Sequence, residues 1–317
     1  MMRAAVVLLL LGYAGLVATV GRALLARARW VTAAPLVGVA LWLGMVVSVV
    51  LSVLQAGLIA TLPHVLVSTD PHVVRAGLAM SIRAQYSTPA GAFIGTVGAA
   101  VVGGTLMRIV WTAMLKRLRT VSSRARQEDA LTLVARPGPA PRSLVVEDDR
   151  PAVYCLPGQR RTVLTTAALR RLDRRQLHAV LGHEQAHLSQ RHHLVLTLAE
   201  LLETAFGRVG LFGAAHAEIA RLVEMAADDA AIRHSDRLTL ASALLTLASG
   251  RAPAPALGAG GTTAAQRIRR LIESPRPARN SAEAAMAVVG RASGLATAVG
   301  LIAVPAMAVS VVVSCCC

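Results

Sequence analysis

Four long apolar runs divide the chain, and its polar residues gather between them. Residues 4–20 follow a single charge, Arg3, and residues 35–62 carry none until Pro63 ends the run. Residues 92–114 are rich in Gly and Ala, the small residues that let membrane helices approach closely. Residues 285–314 are mostly Ala, Val and Leu, interrupted by Arg291 and Pro305, with Arg291 placed to snorkel to an interface. At about 1.5 Å per residue, some 20 apolar residues cross a hydrocarbon layer of about 30 Å. The pattern therefore predicts a polytopic, mainly α membrane protein with four transmembrane helices, at 4–20, 35–62, 92–114 and within 285–317. The first run could also be a signal peptide. Arg22, Arg27 and Arg29 lie after it, which favours an anchor with its N-terminus outside.

The polar remainder predicts three parts: spans in 1–115, a cytosolic domain at 116–284, and a final span in 285–317. Residues 63–91 read as a mixed outer loop. The domain reads as α+β. Residues 130–134 and 143–147 are short strand candidates, and Tyr154-Cys155-Leu156-Pro157-Gly158 with Thr162-Val163-Leu164-Thr165 resembles a hairpin. From Thr166 the apolar residues Leu169, Leu172, Leu177, Val180 and Leu181 recur at helical spacing, with Asp173 as a cap. Residues 194–215 are apolar, but Glu200, Glu203 and Arg208 argue against a span. They read as one amphipathic helix lying on the bilayer and shielding the cleft. Residues 250–264 are a Pro/Gly/Ala-rich linker.

Composition agrees with a membrane protein: 55% hydrophobic residues, 16% charged and only 3% aromatic. The net charge of +16 gathers beside the apolar runs, at Arg22, Arg27 and Arg29 and at Lys116, Arg117 and Arg119. No basic stripe is interleaved with aromatics, so membrane flanks are favoured over direct nucleic-acid binding. By the positive-inside rule the catalytic domain faces the cytosol of a plasma-membrane protein, and both termini lie outside. Cys155 stands alone and Cys315, Cys316 and Cys317 end the sequence, which is neither a disulfide framework nor a CxxC site.

The sharpest chemical signal is Gly182-His183-Glu184-Gln185-Ala186-His187. His183 and His187 are four apart, so a helix projects both imidazoles from one face, as a zinc site requires. Glu184 stands where its carboxylate can act as general base. A catalytic zinc needs a third protein ligand, and two candidates compete. His193 has the HExxHxxGxxH spacing, but Gln190 stands where that pattern has its turning Gly. On an unbroken helix it points away, which leaves it interfacial or exposed together with His192. Glu224 is the favoured candidate, with Asp228 four residues on to orient a ligand imidazole. The bland readings are a polar helix face with two ordinary histidines and a solvated acidic face.

HExxH at 183–187 with ExxxD at 224–228 resembles the gluzincin membrane peptidases, and most closely the BlaR/MecR-type antibiotic-sensor metallopeptidases. That resemblance implies a zincin-like domain holding one Zn2+ and three spans before it with one after. Glu184 would move the proton, on a protein or peptide substrate such as a transcriptional repressor. It also implies that Tyr154, Cys155 and Leu156 hold a substrate strand, and that a donor such as His234 or Arg233 faces the oxyanion. The sensor type carries a large extracellular penicillin-binding domain after its last helix. This sequence stops at Cys317, so β-lactam sensing is not implied. Two alternatives keep the same motifs: an HtpX-like or CAAX-prenyl-protease-like processing peptidase, and an inactive membrane scaffold.

Overall fold

The computed structural model describes residues 2–61, 80, 83, 86–156, 161–249, 260–273 and 293–305. The chain starts with α1 (Met2–Leu16), which runs through a π-helical turn at Val17–Gly21 into α2 (Arg22–Arg27). A 3-10 turn at Arg29–Thr32 leads to α3 (Pro35–Thr61). α4 (Pro89–Val134) starts on Pro89, with the Thr88 hydroxyl accepting from Gly91 N–H. Among the described residues, three helices are long and apolar enough to cross a membrane: Arg3–Arg27, Pro35–Thr61 and Pro89–Ser123. The described part of the fourth run is a shorter apolar helix, α11 (Ser293–Pro305). It packs on α1 and α3, with Ala298 beside Val37 and Leu41, and the Tyr13 hydroxyl donates to Leu301 O at 2.9 Å. The predicted outer loop lies mostly outside the described residues, as do Pro157, Gly158, most of the 250–264 linker, Arg291 and the terminal cysteines.

After α4 comes a four-stranded sheet of order β1-β2-β4-β3. Its strands are β1 (Arg136–Pro137), β2 (Ser143–Val146), β3 (Val153–Leu156) and β4 (Arg161–Thr165). β2 and β4 are parallel, whereas β3 pairs antiparallel with β4, Tyr154 opposite Val163 and Cys155 opposite Thr162. The expected strand at 130–134 is instead the last turn of α4, which ends only at Val134. The three-residue alternation Leu131-Thr132-Leu133 is too short to nucleate a strand against a helix already propagating into it.

Helices complete the domain: α5 (Thr166–Arg171), α6 (Arg174–Ser189), α7 (His192–Phe206), α8 (Gly210–Ala231), α9 (Arg237–Ser249) and α10 (Gly260–Glu273). The expected single helix over 194–215 is thus two, α7 and α8, broken at Phe206–Gly210. Gly207 is needed there, because a Cβ on it would stand 2.7 Å from Glu203 O. Glu200 and Glu203 both find partners within the protein, Glu200 in an ion pair with Lys116 at 2.8 Å and Glu203 beside His216 Nδ1 at 2.5 Å.

The main core joins the spans to the domain. Val39, Trp42, Met45 and Val46 of α3 bury against Leu211, Phe212, Ile219 and Leu222 of α8. Each such side chain contributes about 1.5–3 kcal/mol on burial. Close approach is possible because Gly38 faces Leu222 and Val31, where a Cβ would meet their side chains at 2.9 and 2.2 Å.

Candidate metal centre

The site is built on α6 and α8, which pack against each other. α6 starts on a capping box: Asp173 Oδ1 accepts from Gln176 N–H at 2.8 Å, and Gln176 Oε1 accepts from Asp173 N–H at 3.1 Å. From that fixed start, His183 and His187 fall one turn apart on the face towards α8. Their Nε2 atoms are 3.1 Å apart. Glu224 of α8 brings Oε2 to 3.5 Å from His183 Nε2 and Oε1 to 3.4 Å from His187 Nε2. His183, His187 and Glu224 are the one group among the described residues whose donor atoms could jointly hold a metal ion.

The spacing suits zinc. Tetrahedral bonds of about 2.0–2.1 Å put neighbouring ligand atoms about 3.3–3.4 Å apart. The two imidazole nitrogens, 3.1 Å apart, are near that value, and each faces a different oxygen of Glu224, so that one donor atom from each of the three residues lies within 4.8 Å of the others. Two imidazoles and a carboxylate are a donor set for a borderline ion with a fourth position left open.

The surroundings orient each ligand. Asp228, 1% exposed, places Oδ1 3.0 Å from His183 Nδ1, where it accepts the ring N–H and leaves Nε2 facing the group. His187 is oriented differently. Its Nδ1 lies 3.1 Å from Nδ1 of His192, whose Nε2 lies 3.1 Å from Gln190 Oε1. With His187 Nε2 turned to the group, its Nδ1–H donates to His192, and His192 Nε2–H donates to Gln190.

His192 is buried, 2% exposed, contrary to the expectation of an exposed or interfacial residue. The helix does not continue past Gln190: Arg191 takes the left-handed conformation (φ 53°, ψ 38°) and starts α7 in a new direction. The turn therefore exists without a Gly, and it delivers His192 rather than His193 to the site. His193 is half-buried and outside the metal group.

Arg267 of α10 is the second residue that sequence reasoning missed. Its Nη1 donates to Glu224 Oε2 at 2.7 Å, and its Nε and Nη2 donate to the two oxygens of Asp228 at 2.8 and 2.7 Å. The available signal was the pair Arg267 and Arg270, three apart on one face of an amphipathic helix. Arg270 grips Asp229 at 2.8 Å and Thr32 O at 3.0 Å. His234 and Arg233 are exposed in the turn after α8 and are not members of the metal group.

The charges oppose one another strongly. Burial pulls the His183 pKa down, but its hydrogen bonds to Asp228 and Glu224 prevail and push it up to about 9. Burial, then the charge of His183, lower His187 to about 4. Burial works to raise Glu224, yet the hydrogen bond to His183 and the Arg267 charge hold it down at about 2. Glu184 is raised, chiefly by burial. Its carboxylate lies beside the thiol and backbone of Cys155 on β3, which places that strand next to Glu184. Burial and the same carboxylate push the Cys155 thiol up to about 12, so it stays protonated.

A helix-borne HExxH whose two imidazoles meet a carboxylate from a second helix, beside an edge strand, defines the metallopeptidase class. Residues 117–274 match the family model described as Peptidase family M48, and the chain carries a domain of that metallopeptidase family over this segment. No curated protein and no solved structure matches the chain.

Proposed function

We propose that this protein is a membrane-embedded zinc endopeptidase that hydrolyses peptide bonds of a cytosolic or membrane-associated protein, with a transcriptional repressor as the leading substrate class. The observation that carries this reading is the convergence of His183, His187 and Glu224 on one point, with Glu184 one residue along the helix and β3 beside it. A zinc ion held there would supply Lewis acidity to a water and to the scissile carbonyl. The Glu184 carboxylate, raised by burial, takes the water proton and delivers it to the leaving amine. β3 lies at the end of the sheet order, so its outer edge can take a substrate strand along Tyr154, Cys155 and Leu156. His234 and Arg233 remain candidates for an oxyanion donor, and Arg267, whose Nη1 donates to Glu224, is a third.

Three candidate spans before the motif support the BlaR/MecR-type layout. Residues 285–317 are proposed as the fourth span, and α11 packing on α1 and α3 favours that placement. The Arg-rich flanks support a plasma-membrane protein with its catalytic domain in the cytosol and both termini outside. The family match is not specific to the sensor type, and so keeps open an HtpX-like or CAAX-prenyl-protease-like processing peptidase at the same site.

The test is the full chain in detergent with a quenched-fluorescent peptide library, wild type against Glu184→Gln. The variant should lose about 10²–10⁴-fold in rate while keeping its metal. Equal rates, or a zinc-loaded wild type that cleaves nothing, would overturn the reading.

A further inference from the structure

Two polar contacts hold the α7–α8 turn against the helix bundle, and a third holds the body of α7. Arg22 Nη1 donates to Gly210 O at 3.3 Å, and Arg108 Nε donates to Ala205 O. Further along α4, Lys116 pairs with Glu200 at 2.8 Å. Gly21, next to Arg22, lies against Met45 of α3, since a Cβ on it would stand 3.4 Å from Met45 Sδ. Arg22, Met45, Arg108 and the turn therefore share one level of the bundle.

That level coincides with an end of the apolar layer. Arg3 to Arg22 and Pro89 to Arg108 are both 19 residue steps, each rising roughly 28 Å, close to the hydrocarbon thickness of about 30 Å. Trp111, one turn past Arg108, is 63% exposed, as aromatic residues are at a membrane–water interface. At the same level Val209 is 43% exposed, and Arg208 beside it is exposed too.

We propose that the turn Phe206–Gly210 is a second membrane contact, made by the catalytic domain itself. It sits in the headgroup layer of the leaflet that faces the domain, with Val209 towards the acyl chains and Arg208 on lipid phosphates. A guanidinium suits phosphate oxygens, and a lone apolar side chain beside it suits the boundary zone. α7 then stands as a strut between bilayer and metal centre instead of lying flat. Glu224 is 14 residues along α8 from Gly210, which puts it at most about 21 Å above this contact. The inference rests on the reading of α1–α4 as membrane spans and is independent of peptidase activity.

The test uses the full chain, with its native cysteines changed to Ser, in phosphatidylcholine–phosphatidylglycerol nanodiscs. Nitroxide labels are placed singly at Val209→Cys, Arg208→Cys, Val97→Cys in the middle of the α4 span and Arg233→Cys, and collision rates with oxygen and with a water-soluble nickel chelate give their depth. The turn labels should show an oxygen-to-nickel ratio several-fold above that of position 233 and below that of position 97. Turn labels that match position 233 while position 97 reads deep would overturn the proposal alone. A position 97 label that also reads aqueous would overturn the membrane-span reading with it.

Discussion

His183 meets opposing demands: an ion needs its Nε2 lone pair, while Asp228 and Glu224 favour the protonated ring. With its pKa near 9 in the metal-free protein, His183 is cationic at neutral pH and must release a proton when an ion binds. His187, lowered to about 4, is already neutral and releases none. The sign follows: between about pH 5 and pH 8, metal affinity should rise about tenfold per pH unit, with close to one proton expelled per ion. Calorimetric titrations in buffers of different protonation enthalpy measure that proton count directly; zero protons would contradict a cationic His183 held by Asp228 and Glu224 before the ion binds. At this scale the sequence was informative for residues tied to a helical repeat. The HExxH pair and Glu224 with Asp228 fall four apart on their own helices, so each pair shares a face by geometry alone. His192 was not legible, because its position depends on one left-handed residue, Arg191, that no glycine announces.

Among the elements, the contact between α3 and α8 links a candidate span to the helix that carries Glu224. Gly38 faces Leu222 across it with no room for a Cβ, and Gly103 on α4 offers a control, since a Cβ there would meet nothing within 4 Å. Gly38→Ala should push α8 away from α3 and weaken metal binding several-fold, at a cost of about 1–3 kcal/mol in stability, whereas Gly103→Ala should leave metal binding unchanged. Thermal unfolding and metal titration of the two variants check this, and equal metal affinity in both would show that the contact does not reach the site. The β3–β4 hairpin and α6 were legible from alternation, helical spacing and the Asp173 cap. Residues 194–215 were not, since their hydrophobicity is continuous across the break and only the close approach at Gly207 marks it. Residues 130–134 failed for a related reason, a strand-like alternation overruled by the long helix that precedes it.

For the whole molecule, apolar runs and their arginine flanks announced a membrane protein, and the structure contains three helices able to span. Less legible was how far the spans enter the catalytic domain. The first half of α3 is core for α8, and Arg270 of α10 reaches back to Thr32 across 238 residues of sequence. Contacts of that separation carry no local pattern, and so Arg267, one turn before Arg270, also stayed hidden. The central claim is that His183, His187 and Glu224 converge on a single ion. Zinc content of purified wild type, Glu224→Ala and His193→Ala tests it most directly. One ion per chain in wild type and His193→Ala, with little or none in Glu224→Ala, is the predicted result; metal lost from His193→Ala and kept by Glu224→Ala would contradict it.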